Sequence, residues 1–101
     1  MRVRFTPGAY TQLGKIFDYI ARDDPAAADR VVRRVEEIAE AIGRNPHLGL
    51  KVSRGGVRVF PAHPYPYLVF YEVADTVRII RIRHAARRRP FFHDEAREFA
   101  L

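Results

Sequence analysis

Residues 65–90 read YPYLVFYEVADTVRIIRIRHAARRRP. Tyr67 to Val73 is rich in aromatic and β-branched residues, which suit a pleated, half-buried surface. Ala74-Asp75-Thr76 break the run, and Val77 to His84 resume it, so the two segments form a β-hairpin. Its second strand leads into arginines that packing alone does not require. Side chains alternate between faces along a strand. On that basis Val77, Ile79, Arg81 and Arg83 share one face, and Arg78, Ile80, Ile82 and His84 the other. Leu68, Phe70 and Glu72 likewise oppose Tyr67, Val69, Tyr71 and Val73.

Before the hairpin, Asn45-Pro46, Gly49 and Gly55-Gly56 punctuate a loop, and Val57 to Phe60 read as a further strand. The connections are short, so the three strands form an antiparallel meander. The chain opens with Val3 and Phe5 alternating with Arg2 and Arg4, a short first strand. Thr6-Pro7 then pairs an N-cap with proline at the first helical position, where its missing N–H costs nothing. Tyr10, Leu13, Phe17 and Ile20, with Ile16, give an apolar stripe ending near Arg22, where Asp18 and Tyr19 cap and pack the helix end. Asp24-Pro25 repeats the start signal, and the second helix extends to about Gly43. Val31, Val35, Ile38 and Ile42 form its stripe, with Ala28 and Ala39 permitting close approach.

The expected fold is α+β: a short N-terminal strand, a helical hairpin, then a three-stranded antiparallel meander, with the helices on one face of the sheet. The other face is left for the C-terminal segment or a partner. Residues 1–90 make one domain, and residues 91–101 a tail, helical or mobile, in which Pro90 stops the last strand.

Composition narrows the chemistry. Cysteine is absent, which excludes disulfides, thiolate metal sites and cysteine nucleophiles. No window reaches the roughly 20 apolar residues of a membrane span, and the N-terminus has no apolar signal core, so a cytoplasmic protein is expected. Net charge is +6 and lies mostly in the second half, where ten Lys/Arg face five Asp/Glu, against eight and seven in residues 1–50. Sixteen of the eighteen cations are arginine, whose planar fork suits phosphate or carboxylate. A solvated basic face, nucleic acid and an acidic protein all fit this distribution. His47, His63, His84 and His93 show no metal-ligand spacing, and Gly55-Gly56 lacks the lysine and helix of a phosphate loop, so neither metal nor cofactor is expected.

The element order resembles the ParE branch of the RelE/ParE toxin superfamily over residues 2–90. The resemblance rests on Asp18-Tyr19-Ile20 before Asp24-Pro25, on NPHLG at 45–49, on Val57-Arg58, on Pro66-Tyr67 with Phe70-Tyr71, and on His84 with Arg87. It implies the toxin of a bacterial type II toxin–antitoxin pair, neutralised by a cognate antitoxin through which it reaches operator DNA. ParE-like members are associated with inhibition of DNA gyrase, and RelE-like members with cleavage of messenger RNA on the ribosome. A third reading is a non-toxic basic module that only pairs with its antitoxin.

Each reading assigns residues. A gyrase inhibitor needs a contact surface, here Arg58, Tyr71, Arg81, Arg83, His84, Arg87 and Arg88. An RNase needs cations for the phosphate and an acid and base, for which Arg58, Arg81, Arg87, His84 and His93 are the candidates. Arginine stays protonated and is a poor base, so that set is sparsely furnished. Tyr67, Val69, Phe91 and Phe92 are the expected antitoxin contacts. Arg81 and Arg83 fall on the face opposite His84, so the hairpin reads as a two-sided binding element.

Overall fold

Both helix starts form as their local chemistry dictates. The Thr6 hydroxyl accepts a hydrogen bond from the Ala9 N–H at 3.1 Å, and an Asp24 carboxylate oxygen accepts one from the Ala27 N–H at 3.0 Å. Each cap satisfies an N–H left without an intrahelical partner. In the computed structural model, which describes residues 1–52 and 55–86, these caps open α1 (Pro7–Ala21) and α2 (Pro25–Arg44). Around them lie β1 (Val3–Phe5), β2 (Leu50–Lys51), β3 (Val57–Pro61), β4 (Tyr67–Val73) and β5 (Val77–His84). The expected tail at 91–101 lies outside the described residues.

The five strands make one sheet in the order β1-β5-β4-β3-β2. The antiparallel meander is present as β3, β4 and β5. Two additions make the sheet larger and mixed. β1 lies parallel to β5, with Val3 beside Val77 and Phe5 beside Ile79, and β2 adds two residues antiparallel to β3. The long excursion through both helices and the meander is what allows a parallel pair, since a tight turn joins only antiparallel strands.

The core lies between the helices and one face of the sheet. Val31, Val35, Ile38 and Ile42 of α2 are buried, as their spacing predicts, against a sheet face that includes Val69, Tyr71, Val77, Ile79 and Ile82. Burial of each such aliphatic side chain contributes about 1.5–3 kcal/mol. Along α1 the stripe is rotated from the expected one. Ala9 and Leu13 are buried and Ile16 and Ile20 pack against the core, whereas Tyr10 is 62% exposed and stacks on Phe5 at 5.0 Å between centroids. Gly43 allows β1 to cross close to α2, because a Cβ there would lie 2.9 Å from both the Met1 carbonyl oxygen and Val3 Cγ2.

β5 departs from strict alternation. Its register with β4 shifts between Phe70 and Tyr71: Tyr71 pairs with Ile79 but Phe70 pairs with Arg81, which leaves Ile80 as an extra residue. Such a bulge reverses the phase of everything after it. Val77, Ile79, Ile82 and His84 therefore all face the helices, and the expectation that Val77 and Ile79 share a face with Arg81 and Arg83 is corrected. The bulge gathers the apolar residues under the helices and turns the two arginines to the other side.

Candidate functional site

The expected contact residues fall into three places. Arg58 and Tyr71 are cross-strand partners on the helix side and hold the loop at 45–50. The Tyr71 hydroxyl accepts from the Gly49 N–H at 2.8 Å and donates to the Pro46 carbonyl at 2.9 Å. One Nη of Arg58 donates to the Gly49 carbonyl at 2.8 Å, and the other lies 3.1 Å from His47 Nδ1. Guanidinium always donates, so His47 Nδ1 is the acceptor there. Tyr71 is fully buried. In this structure it offers no surface to a target, and its assignment as a target contact gives way to a role in fixing the NPHLG turn.

Arg81 and Arg83 occupy the second place, on the helix-free face beside Phe70 and Leu68. The Arg83 guanidinium carbon lies 5.9 Å from the centroid of the Phe70 ring, and the residue is only 6% exposed. This contact is of the cation–π kind. Arg78 and Glu72 continue the same face as a cross-strand ion pair at 3.1 Å. Val59 and the 75%-exposed Leu50 extend it towards the β2 edge.

His84 occupies the third place, on the opposite side of β5. Its ring meets Tyr67 edge to face at 5.1 Å, and Nδ1 accepts from the Ala86 N–H at 3.0 Å. With Nδ1 accepting, the neutral ring carries its proton on Nε2. The ring borders a cleft of about 680 Å³ between α1 and the end of β5, lined also by Gln12, Lys15, Tyr19, Arg22 and Ile82. Tyr19 is 60% exposed and Arg22 caps the helix, so the expectation that Asp18 and Tyr19 cap and pack the helix end does not hold.

Tyr67 and Val69, expected at the antitoxin interface, lie under the helices and belong to the buried core. They present no free surface, because the face they line is the one α1 and α2 cover. Phe91, Phe92, His93, Arg87 and Arg88 lie outside the described residues. Lys15 and Arg22, absent from the expected contact set, stand seven residues apart on α1 and so project from one side of it. That spacing was the available signal. No group of three or more His, Cys, Asp or Glu able to hold a metal occurs among the described residues, and no described helix is long and apolar enough to cross a membrane.

The family model for the ParE toxin of the type II toxin–antitoxin system parDE matches residues 3–89. The chain belongs to the ParE toxin family. It is similar to Toxin RelE2 of Caulobacter vibrioides, with 38% identity over 87 residues that cover 85% of this chain and 97% of that relative. Among solved structures, the chromosomal ParDE system from P. aeruginosa superposes with a TM-score of 0.71 at 24% identity, covering 83% of this chain and 95% of that one. A YoeB/ParE toxin from Agrobacterium tumefaciens follows with a TM-score of 0.58 at 17% identity, over 83% and 98% of the two chains. The two structures share the fold, and the family shows that this ParE-type chain is a type II toxin.

Proposed function

We propose that this ParE-type toxin inhibits growth by binding DNA gyrase, and that a cognate antitoxin silences it in the cytoplasm. The observation that carries this reading is the dispersal of the candidate catalytic groups among the described residues. Arg81 faces away from the helices, His84 faces the α1 cleft, and Arg58 is engaged by Gly49 and His47. Acid, base and phosphate-binding cations must meet within hydrogen-bond reach of one reacting group. A binding surface has no such requirement. Arg81, half-buried on the helix-free face that also carries Arg78 and the exposed Leu50, offers a partner a cationic contact there, with Arg83 and Phe70 buried beneath it. Arg87 and Arg88 follow in the sequence and extend the proposed contact.

The experiment adds purified toxin to gyrase and to a translating extract in parallel. Loss of supercoiling with intact messages supports gyrase as target. Arg81→Glu and Arg87→Ala then each weaken inhibition while the fold, read by circular dichroism, is retained.

A second reading, ribosome-dependent cleavage of messenger RNA, draws on the same arginines as phosphate ligands. His93 lies outside the described residues and remains its proposed acid or base. Message cleavage in the extract with untouched gyrase would favour it.

A further inference from the structure

β1 brings two further arginines to the helix-free face. Val3 and Phe5 pack against the core, so alternation turns Arg2 and Arg4 to the opposite side of the sheet. The strand is held at both ends: the Val77 N–H donates to the Arg2 carbonyl at 2.8 Å, and the Thr6 N–H to the Ile79 carbonyl at 3.0 Å. Its register sets Arg4 directly beside Arg78, whose guanidinium meets Glu72 at 3.1 Å on the next strand. Arg2, Arg4 and Arg78 are exposed, and Arg81 continues the row, half-buried, past the bulge. Residues two apart in a strand lie about 7 Å apart and neighbouring strands about 4.8 Å apart, so these cations form a strip and not a single point of charge. Glu72 is the one carboxylate in any described strand, and Asp75 lies in the exposed connection before β5.

The strip lacks what a protein hot spot or a single-strand binder needs. Hot spots set arginine among aromatic anchors, and single-stranded nucleic acid is held by stacking its bases on aromatic rings. The exposed large apolar residues of the described chain are Met1, Tyr10, Tyr19, Leu48 and Leu50. Both tyrosines belong to α1, on the other side of the sheet, and Met1 lines a groove there with Val3 and Phe5. Leu50 lies on β2, at the far edge of the sheet from β1, and Phe70 beside Arg81 is buried. Spaced guanidinium groups without an apolar anchor fit the phosphate backbone of a duplex, which is held by charge and position and needs no stacking. Glu72 engages one Nη of Arg78, and a guanidinium has several N–H donors, so the ion pair orients that group without exhausting it.

We propose that Arg2, Arg4 and Arg78, continued by Arg81, bind the phosphate backbone of duplex DNA, and that the toxin therefore docks on the gyrase–DNA complex in preference to gyrase alone. DNA becomes part of the target: the strip reads no sequence, and its contribution falls as salt displaces it from the phosphates. This inference rests on gyrase as the target proposed above.

The test measures binding of fluorescently labelled full-length toxin to purified gyrase alone, to gyrase loaded with a DNA duplex, and to the duplex alone over a range of salt. The gyrase–DNA complex should bind the toxin at least about tenfold more tightly than gyrase alone does. Arg2→Gln/Arg4→Gln, altered at exposed positions, should lose that gain and lower the salt slope on the duplex by about 2, whereas Arg2→Lys/Arg4→Lys, which keeps the charge, should retain most of it. Circular dichroism of both variants checks the fold. Equal affinity for gyrase with and without DNA, or a gain that survives in Arg2→Gln/Arg4→Gln, overturns the DNA contact and leaves gyrase as the target. Absence of binding to gyrase in either state overturns the gyrase reading and, with it, docking on its DNA complex. Tighter binding to single-stranded RNA than to a duplex of the same length overturns the choice of nucleic acid.

Discussion

Tyr71 and Arg58, paired across β4 and β3, grip Gly49 from its two polar ends: the tyrosine hydroxyl takes its N–H and the guanidinium takes its carbonyl. The tyrosine, which looks like a surface contact in the sequence, is fully buried and belongs to the framework, while Arg58 is half-buried beside it. The loop after α2 is stitched to the sheet by side chains, and β2 begins immediately beyond it.

Removing the hydroxyl should cost stability and little else. Tyr71→Phe leaves the buried Gly49 N–H without its acceptor and the Pro46 carbonyl without its donor. The expected loss is about 1–3 kcal/mol, read as a lower urea midpoint with an unchanged slope. An unchanged midpoint would show that the loop finds equivalent bonds in water.

Two glycine substitutions should move stability in opposite directions. A Cβ at Gly49 would lie 2.8 Å from both the Tyr71 hydroxyl and the Val59 carbonyl oxygen, so Gly49→Ala should destabilise by about 1–3 kcal/mol. At Gly14, exposed within α1, a Cβ meets nothing within 4 Å. Gly14→Ala should therefore stabilise by about 0.5–1 kcal/mol through helix propensity. Thermal melts of the pair would expose an error of sign in either.

The helix caps set a third expectation. Thr6→Ala and Asp24→Ala each remove an acceptor from a first-turn N–H and should cost about 1 kcal/mol. Thr6 also begins the turn out of β1, where its N–H bonds the Ile79 carbonyl, so its substitution should increase amide exchange at position 6 and at Ile79 more than the Asp24 change does.

Much of this fold was legible because local signals and long-range packing agree. Thr6-Pro7 and Asp24-Pro25 mark both helix starts, and Tyr67–Val73 and Val77–His84 are strands over the expected residues. The bulge was not legible: Ile79 and Ile80 are adjacent isoleucines, and either can satisfy the apolar face, so hydrophobic pattern alone does not fix the phase beyond them. Parallel pairing of β1 with β5 joins residues more than seventy apart and has no local signature. The split between Arg81 and His84 survives, because the bulge precedes both residues. The α1 cleft depended on tertiary packing, since nothing in the sequence brings Lys15 and Arg22 beside His84 until α1 lies along β5.

Binding of gyrase, and not cleavage of RNA, is the action proposed for this ParE-type toxin. The most direct measurement is DNA supercoiling by purified gyrase as toxin is titrated in, repeated with the antitoxin present. Gyrase as the target predicts dose-dependent loss of supercoiling that antitoxin reverses and that Arg81→Glu weakens. Full gyrase activity at saturating toxin, alongside cleavage of ribosome-bound messages by the same preparation, would contradict it.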